Sequence, residues 1–282
     1  MTSIAESLIR AESILAANGV AEPRREAVSL LMLATKRDRT FLYAHPESAL
    51  SSDELDNYDS LLQRRAAREP FQYISGVQEF YGLEFEVTPD VLIPRPETEM
   101  VVERAIEILS LRADKRFCEV GIGSGCIAVS ILRYVAGSSA VGLDVSDEVL
   151  RIARRNSEKH GVAEKLSLVK SDVFSALVDA KFEMIVSNPP YVPVRDMDGL
   201  QAEVRSFEPR AALTDGLDGL SIIRRIVTDA PRVLSPGGVL LMEIGFNQSE
   251  KVVEMFNVSR WRGPKLFPDL QGIPRLLFSE LI

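Results

Sequence analysis

The chain has 282 residues, of which 46% are hydrophobic and 26% charged, and its formal net charge at pH 7 is −8. These proportions are ordinary for a globular protein with a buried core, and no apolar run approaches the roughly 20 residues of a transmembrane helix. The basic residues form scattered pairs and no stripe, and this charge balance weighs against the positive face that duplex-binding enzymes normally use, although a local basic patch in the fold stays open.

Cysteine and histidine are rare, which limits the expected disulfide bonds, metal sites and cellular compartment of the protein. Two cysteines, Cys118 and Cys126, are too few for a disulfide framework, so we expect a reducing, cytoplasmic environment. The two histidines, His45 and His160, are far apart in the sequence, and no Cys/His spacing resembles a metal site. Charged residues near the N-terminus interrupt the apolar stretch that a signal peptide needs. We therefore expect neither a metal ion nor an export signal.

Residues 1–70 are predicted to form a small helical bundle. Apolar residues recur at spacings of three and four, first at Ile4, Leu8, Ala11 and Leu15. Pro23 suits the first position of a second helix, and Ser51 or Ser52 suits the N-cap of a third. The segment contains no catalytic constellation, and its apolar stripes are typical of the inner faces of a bundle. By elimination, we interpret it as a domain that recognises a partner.

Between residues 71 and 93 the periodicity changes from helix to strand. Aromatic and β-branched residues on either side of Gly82 predict a β-hairpin, which we interpret as a linker between two domains. The catalytic domain is then predicted to occupy residues 94–282. At its start, prolines hold Arg95 and Glu97 in a stiff loop that runs into a helix. The sequence leaves the roles of these two side chains open between helix capping and participation in a site.

A predicted strand at 116–120 is followed by the glycine-rich loop Gly121-Ile122-Gly123-Ser124-Gly125 and a helix. Glycines at this position let the backbone approach a ligand at a helix N-terminus. A dinucleotide fingerprint would need Gly or Ala at its sixth position, which is Cys126 here. The pattern Glu-x-Gly-x-Gly-x-Gly, which begins at Glu119, is instead typical of loops that bind S-adenosylmethionine (AdoMet).

The next two strands end in residues that suit the same ligand. Strand two ends at Asp144, 23 residues after Gly121, where a carboxylate can accept hydrogen bonds from both ribose hydroxyls. This spacing alone does not separate NAD from AdoMet. Strand three ends near Asp172 and Val173, which we expect to border the adenine ring.

Strand four, at 184–187, stops at Asn188-Pro189-Pro190-Tyr191. Two prolines can neither continue a hydrogen-bonded ladder nor start a helix, so they predict a rigid corner at the carboxyl end of a strand, where open α/β sheets bind ligands. The corner offers an amide side chain, stiff carbonyl groups and an aromatic ring, which together suit an –NH2 group attached to a π-system. The alternative is a tight turn that merely closes the strand, but the flanking Asn and Tyr favour a site.

The rest of the chain predicts the completion of a seven-stranded α/β sheet. A long loop at 192–217 is expected to form a lid or a substrate wall. An amphipathic helix at 220–234 leads through a Pro-Gly-Gly turn to a strand at 239–244. Two last strands, near 263–267 and 275–281, are predicted to form an antiparallel edge.

With these motifs, the chain resembles the HemK/PrmC family, the bacterial N5-glutamine methyltransferases of peptide chain release factors. The resemblance covers nearly the whole length and rests on five motifs: Glu69-Pro70-x-Gln72-Tyr73-Ile74-x-Gly76, Val91 to Glu99, Glu119 to Ala128, Asn188 to Tyr191, and Phe207 to Leu213. The Asn-Pro-Pro-Tyr motif is shared with DNA and ribosomal RNA methyltransferases. The Ile-Pro-Arg-Pro-Glu-Thr-Glu block is far more specific.

The resemblance implies an N-terminal helical bundle of the five-helix type, a β-hairpin linker and a Rossmann-like, seven-stranded AdoMet-dependent methyltransferase domain. It implies N5-methylation of the glutamine in the Gly-Gly-Gln motif of class 1 release factors, with AdoMet as donor and S-adenosylhomocysteine as product. Release factors would be the protein partners, in the cytoplasm, with no membrane and no direct nucleic-acid substrate.

Carried over by position, the resemblance implies three groups of site residues. The catalytic group is Asn188, Pro189 and Tyr191, and the glutamine-binding group consists of these residues with Pro190. The cofactor-binding group is Gly121, Ile122, Gly123, Ser124, Gly125, Asp144, Asp172, Val173 and Asn188. Members of the family often have Trp where this chain has Val173, and Phe174 is then the candidate for the missing aromatic contact.

Three rival functions share part of this pattern. An enzyme that methylates a glutamine of a ribosomal protein would share all of the site chemistry. A methyltransferase acting on exocyclic amines of nucleic acids is disfavoured by the acidic charge and by the lack of an evident target-recognition domain. A non-catalytic protein that keeps AdoMet as a structural ligand is the third.

Overall fold

The computed structural model describes residues 2–282 and divides into two compact units. The first, here called the helical unit, consists of residues 2–76 and 201–207. The second, here called the sheet unit, consists of residues 77–200 and 208–282. The units thus divide at Gly76 and not at residues 70 and 93, and the predicted recognition, linker and catalytic domains stay a functional prediction.

The helical unit contains five helices before Gly76: α1 (Ile4–Ala17), α2 (Pro23–Thr35), α3 (Arg39–Ala44), α4 (Ser52–Ala66) and α5 (Phe71–Ser75). It also contains the short helix Ala202–Phe207. Five helices agree with the number that the family resemblance implies. Both α3 and α5 are too short to show a periodic apolar pattern, and the segment of α5 was expected to begin the linker.

Local capping determines where the longer helices begin. The Ser3 hydroxyl accepts a hydrogen bond from Glu6 N, and Ser3 N donates to the Glu6 carboxylate at 2.8 Å. Ser51 and Glu54 repeat this reciprocal capping box at the start of α4. Pro23 stands in the first turn of α2, where its missing N–H costs nothing. The beginnings of α2 and α4 confirm the sequence prediction, which named no cap for α1.

An ion cluster holds residues 201–207 in the helical unit. Glu203 accepts hydrogen bonds from Arg65 at 3.3 Å and from Arg68 at 2.6 Å and 2.8 Å. Arg65 also pairs with Glu26 at 3.1 Å, and its side chain is only 6% exposed. Because a buried arginine requires hydrogen-bonded carboxylates around it, this cluster explains why a segment distant in sequence joins the helices.

The sheet unit begins, as predicted, with an antiparallel hairpin of β1 (Val77–Phe80) and β2 (Leu83–Glu86). The elements that follow in this unit are α6 (Glu99–Ser110), β3 (Arg116–Val120), α7 (Cys126–Tyr134), β4 (Ser139–Asp144), α8 (Asp147–Lys159), β5 (Leu166–Lys170), β6 (Phe182–Ser187), α10 (Arg210–Leu213), α11 (Ser221–Val233), β7 (Leu234–Glu243), α12 (Ser249–Val253), β8 (Trp261–Pro268) and β9 (Pro274–Leu281). The label α9 denotes the Ala202–Phe207 helix of the helical unit. None of the helices within residues 2–282 is long and apolar enough to cross a membrane.

The strands β3 to β9 form one seven-stranded sheet in the order β5-β4-β3-β6-β7-β9-β8. The pairs β7–β9 and β8–β9 are antiparallel and the other pairs are parallel, which confirms the predicted α/β sheet with an antiparallel edge. One detail differs. The register with β6 jumps from Phe182–Leu234 to Met184–Val239, so the predicted Pro-Gly-Gly turn is absorbed as an irregularity within β7.

The order of the strands places a ligand site between β3 and β6. These strands are neighbours although β4 and β5 separate them in the chain, so the winding of the sheet reverses at this point. Ligands of open α/β sheets bind outside the carboxyl ends of the strands at such a reversal. Ser187 Oγ donates to Val120 O at 2.8 Å and ties the two strand ends together.

The predicted lid loop at 192–217 has more regular structure than expected. A 3₁₀ turn over Val194–Gly199 precedes α9 and α10. All three elements are short, and their mixed polar sequence gives no periodic signal.

Candidate active site

A cavity of about 490 Å³ lies at the carboxyl ends of β3, β4, β5 and β6. Most of the residues predicted for cofactor and substrate line it: Gly121, Ile122, Gly123, Ser124, Asp144, Asp172, Val173, Asn188 and Pro190. Three predicted residues do not line it: Gly125, Pro189 and Tyr191. The structure therefore gathers most of the predicted site at the point where the sheet reverses.

The glycine loop turns sharply between β3 and α7. Its three glycines have φ values of 72°, 54° and 83°, which lie in the left-handed region that glycine tolerates best. The amides of Gly121 and Ile122 both donate to Leu143 O at 2.9 Å, which fixes the loop against β4. At Gly125, an added Cβ would lie 3.4 Å from Ala153 of α8. The glycine at 125 thus serves the packing of α8 and does not face the cavity.

Glu119 stabilises the exit of this loop. It is 1% exposed, and its Oε2 accepts a hydrogen bond of 2.8 Å from Ala128 N in the first turn of α7. Burial raises the pKa of Glu119 well above its ordinary value. The carboxyl group therefore caps the helix and contributes to the cavity wall at the same time.

Ser124 lines the cavity, but its hydroxyl oxygen is itself buried. It is buried and, apart from the Cys126 thiol beside it, has no hydrogen-bond partner among residues 2–282. The backbone at this residue is held firmly, because Asn156 Nδ2 donates to Ser124 O at 2.8 Å and to Glu86 O at 3.0 Å. A buried hydroxyl is costly without a partner, and the Cys126 thiol is the polar group beside this one.

Asp144 ends β4 on the opposite wall. Its carboxylate accepts hydrogen bonds from Ser146 N at 3.2 Å and Gly123 N at 3.4 Å. Burial raises the pKa of Asp144, and these backbone donors oppose that effect. The long bond to Gly123 links this acid directly to the glycine loop.

The end of β5 contributes Asp172 and Val173 to the cavity. Val173 is 5% exposed and has a φ of 52°, which is rare for a β-branched residue. Ser171 Oγ donates to Val173 O at 2.8 Å and supports this conformation. Asp172 pairs with Arg225 at 2.9 Å. Phe174 lies in the apolar core and not in the cavity wall, so the structure contradicts its suggested role as a replacement aromatic contact.

The Asn188 corner is oriented by side chains from two other segments. Asn188 Nδ2 donates to Thr98 Oγ1 at 3.0 Å, and Thr98 Oγ1 donates to Glu243 Oε2 at 2.6 Å. Tyr191 also turns towards this acid, since its hydroxyl donates to Glu243 Oε1 at 3.0 Å. Burial and the neighbouring Glu243 raise the pKa of Tyr191. The Tyr191 hydroxyl thus satisfies a buried carboxyl group, Tyr191 does not line the cavity, and a contact of its ring with the substrate stays a prediction.

Two of the sequence motifs meet beside the cavity. Arg95, in the proline-rich stretch, forms a short ion pair with Glu208, which also accepts a hydrogen bond from Ile93 N at 3.4 Å. Glu208 is buried, whereas Arg95 and Pro209 line the cavity. The pair fixes the lid loop at Glu208 to the proline-rich stretch.

The charge of the cavity is predominantly negative. One basic residue, Arg95, and five acidic residues occur among its lining residues within 2–282: Asp90, Glu119, Asp144, Glu148 and Asp172. Arg95 is paired with Glu208, Asp172 with Arg225 and Glu148 with Arg151. Asp90 and Asp144 form no ion pair within residues 2–282, so the lining favours a ligand that carries a positive group.

Sequence reasoning missed Thr98, Asn156 and Glu243. A partial signal existed for two of them. Thr98 belongs to the proline-rich motif, and Glu243 ends the strand next to β6, where polar residues often face a site. Asn156 lies on a helix and gave no signal, because its role depends on contacts with β2 and with the glycine loop.

Comparisons with known proteins agree with this geometry. Residues 6–76 match the family model described as PrmC N-terminal domain, and residues 102–204 match the model described as Methyltransferase small domain. A release factor glutamine methyltransferase of Geobacter sulfurreducens is 43% identical over 267 residues, which cover 95% of this chain and 93% of the relative. The relative of the same description from Koribacter versatilis is 40% identical over 259 residues, or 92% and 91% of the two chains.

The solved structures support the fold. A methyltransferase from Pyrococcus furiosus superimposes with a TM-score of 0.53 at 19% identity, covering 80% of this chain and 98% of that one. At this level of identity, the likeness concerns the fold alone.

Proposed function

The chain belongs to the family of release factor glutamine methyltransferases, and from this membership we propose that it transfers a methyl group from AdoMet to the N5 atom of a glutamine side chain. The substrate would be the glutamine of the Gly-Gly-Gln motif in a class 1 peptide chain release factor. The observation that carries the proposal is the hydrogen bond from Asn188 Nδ2 to Thr98, because it leaves the amide oxygen as the acceptor available at the cavity.

The residues of the cavity fit AdoMet. AdoMet supplies a methyl group on a positively charged sulfur, and the acidic lining of the cavity suits that charge. We assign the methionine portion to Gly121, Ile122, Gly123 and Ser124, which line the cavity together. Asp144 would hold the ribose hydroxyls, and Asp172 with Val173 would border the adenine. Gly125 would act through the packing of the loop alone.

The Asn188 corner would hold the glutamine. A carboxamide nitrogen is a poor nucleophile because its lone pair is delocalised into the carbonyl group. If Asn188 Oδ1 and the Pro189 carbonyl accept its two N–H bonds, they orient the nitrogen and favour the positive charge that develops on it. Fixed acceptors aimed at developing charge are among the largest catalytic effects. Pro190 would shape the pocket wall, and Tyr191 would support the corner from behind through Glu243.

A cytoplasmic location is part of this proposal. Both cysteines are unpaired and buried, and nothing in their placement calls for an oxidising compartment. Translation termination would bring the release factor to the enzyme in the same compartment.

The proposal is tested in three parallel reactions, each containing the protein and radiolabelled AdoMet. The first also contains a purified release factor, the second a ribosomal protein mixture and the third DNA. We expect label in the release factor, and mass spectrometry should place one methyl group on the Gly-Gly-Gln peptide. Label that appears only in a ribosomal protein or in DNA would support one of the rival substrates. Absence of label from all three would support a non-catalytic AdoMet-binding protein.

The role of Asn188 is tested by Asn188→Ala. We expect turnover to fall by about 10²–10³-fold, the usual effect of removing one preorganised hydrogen-bonding group, with AdoMet binding largely retained. Asn257→Ala is the matched control, since it removes the same side chain at an exposed turn that does not line the cavity. Methylation by Asn188→Ala at a near wild-type rate would overturn the assigned role.

A further inference from the structure

A buried chain of hydrogen bonds runs from Asn188 into the sheet unit. Its members are Asn188, Thr98, Glu243 and Tyr191, joined by three hydrogen bonds of 3.0 Å, 2.6 Å and 3.0 Å. Thr98 and Glu243 are each 2% exposed. Glu243 ends β7 directly after Met242, which pairs with Ser187 of β6, so the sheet register places it beside the Asn188 corner.

The direction of each hydrogen bond follows from the acid at the centre of the chain. Burial raises the pKa of Glu243, and the hydrogen bonds from Thr98 and Tyr191 oppose that effect because they favour the ionised form. In this carboxylate form Glu243 can only accept, from Thr98 at Oε2 and from Tyr191 at Oε1. The single hydroxyl hydrogen of Thr98 is therefore used for Glu243. Thr98 Oγ1 can then only accept from Asn188, so the –NH2 edge of the Asn188 amide must face Thr98.

We propose that Thr98 and Glu243 are positioning residues that fix the rotation of the Asn188 amide, so that its oxygen and not its nitrogen is presented to the substrate. The inference rests on the proposed function, because it explains how the acceptor of that site is selected. Without the chain, the two ends of an amide differ little in shape, and rotation by half a turn would present two donors to the substrate –NH2 group. Two facing sets of donors cannot hydrogen-bond.

Glu243→Gln tests this inference with a minimal change of shape. The new amide group can donate to Thr98, and the Thr98 hydroxyl is then free to donate to Asn188 Oδ1. The Asn188 amide would rotate, and its oxygen would be lost to the substrate in part of the molecules. We expect kcat to fall by about tenfold or more, up to the roughly 10²–10³-fold that complete loss of one such group costs. The affinity for AdoMet and the KM for release factor should stay close to wild type.

Thr98 provides a second perturbation with its own rescue. Thr98→Val keeps the shape of the side chain but removes the hydroxyl, so kcat should fall as in Glu243→Gln. Thr98→Ser keeps the hydroxyl and should restore most of kcat. The matched controls are Glu183→Gln at the far end of β6, where Glu183 pairs with Arg112 at 3.2 Å, and Thr228→Val on α11, where Thr228 Oγ1 donates to Arg224 O. Both controls should keep wild-type kcat.

A double-mutant comparison separates positioning from a general structural role. If Glu243 acts through Asn188, adding Glu243→Gln to Asn188→Ala should reduce kcat by less than twofold beyond Asn188→Ala alone. A full tenfold additional loss would overturn the inference, because two independent effects multiply. Unchanged kcat in both Glu243→Gln and Thr98→Val would overturn it as well.

An activity-independent measurement distinguishes failure of this inference from failure of the proposed function. In NMR spectra of ¹⁵N-labelled protein, the side-chain –NH2 signals of Asn188 are assigned by their loss in Asn188→Ala. These signals should shift in Glu243→Gln and in Thr98→Val, and in Thr98→Ser they should lie close to their wild-type positions. If the wild-type protein transfers no methyl group to release factor but these shifts occur, the proposed function fails and the positioning role stands. If methylation is normal and the signals do not move, the positioning role fails alone.

Discussion

Gly219→Ala tests whether the backbone behind the Asn188 corner must stay where the structure places it. Gly219 is buried and has a φ of 76°. A Cβ at this position would lie 2.1 Å from Tyr191 O, 2.8 Å from Tyr191 C and 3.0 Å from Pro193 N. Gln248 Nε2 further joins the backbone at Tyr191 to the backbone at Gly219, since it donates to Tyr191 O at 2.9 Å and to Gly219 O at 3.2 Å. The added methyl group therefore has to displace main chain.

The expected cost has two parts. Holding alanine in the left-handed region costs about 1–2 kcal/mol, and forcing extra atoms into packed structure costs about 1–3 kcal/mol. Gly216 offers a matched control in the same loop, because its φ is 79° but nothing lies within 4 Å of its added Cβ. Gly216→Ala should thus lower the free energy of unfolding by the first part alone, and Gly219→Ala by about 2–5 kcal/mol in total.

Urea unfolding of both variants measures these costs, and methyl transfer to release factor measures the consequence for the site. Displacement of Tyr191 moves Asn188 with it, so Gly219→Ala should lower kcat while calorimetry shows AdoMet affinity near wild type. Gly216→Ala should keep full turnover. Equal stability of the two variants, together with full methylation by Gly219→Ala, would refute the reasoning.

Two further predictions concern a ligand contact and a titrating ion cluster. Asp144→Ala should weaken AdoMet binding by about 10–100-fold in calorimetry, the effect of losing hydrogen bonds of about 1.5–3 kcal/mol to a charged group, and an unchanged affinity would remove Asp144 from the site. Burial raises the pKa of Glu203, but the hydrogen bonds from Arg68 and its own backbone, together with the charges of Arg68 and Arg65, outweigh that effect, so the pKa lies below the ordinary 4.5. The stability that Glu203 supplies is therefore present at pH 7 and is lost only as the pH falls below 4.5 through the lower folded pKa. Glu203→Gln should lower the midpoint of thermal unfolding at pH 7 more than the control Glu12→Gln, which breaks an exposed ion pair with Arg24. This difference between the two variants should vanish at low pH, and a difference that persists in acid would contradict the explanation.

Local sequence patterns predicted the elements that form the cavity because each pattern depends on neighbouring residues. The glycine loop follows from residues within one turn of the chain, and the parallel strands follow from short apolar runs whose members, such as Met184, Ile185 and Val186, are fully buried. The order of strand ends along the chain was sufficient to place Asp144 and Asn188 in one cavity. The individual roles of these residues stay predictions until ligand binding and turnover are measured.

Errors arose where a side chain depends on partners far away in the sequence. The Asn-Pro-Pro-Tyr pattern does not show that the Tyr191 hydroxyl donates to Glu243, 52 residues later in the chain. Residues 201–207 were expected to belong to the lid, and they join the helices because a buried Arg65 requires Glu203.

The Asn188 corner depends on the same kind of distant contact. An Asn-Pro-Pro-Tyr motif specifies that an amide stands at the strand end, but not which edge of the amide faces the substrate. That choice requires a donor-only or acceptor-only group at the end of a hydrogen-bond chain, and here the group is the carboxylate of Glu243, reached through Thr98. A chain with the same motif but with glutamine at the position of Glu243 would satisfy every local pattern. It would nevertheless present a mixture of amide orientations, so the motif is necessary for an oriented acceptor but not sufficient.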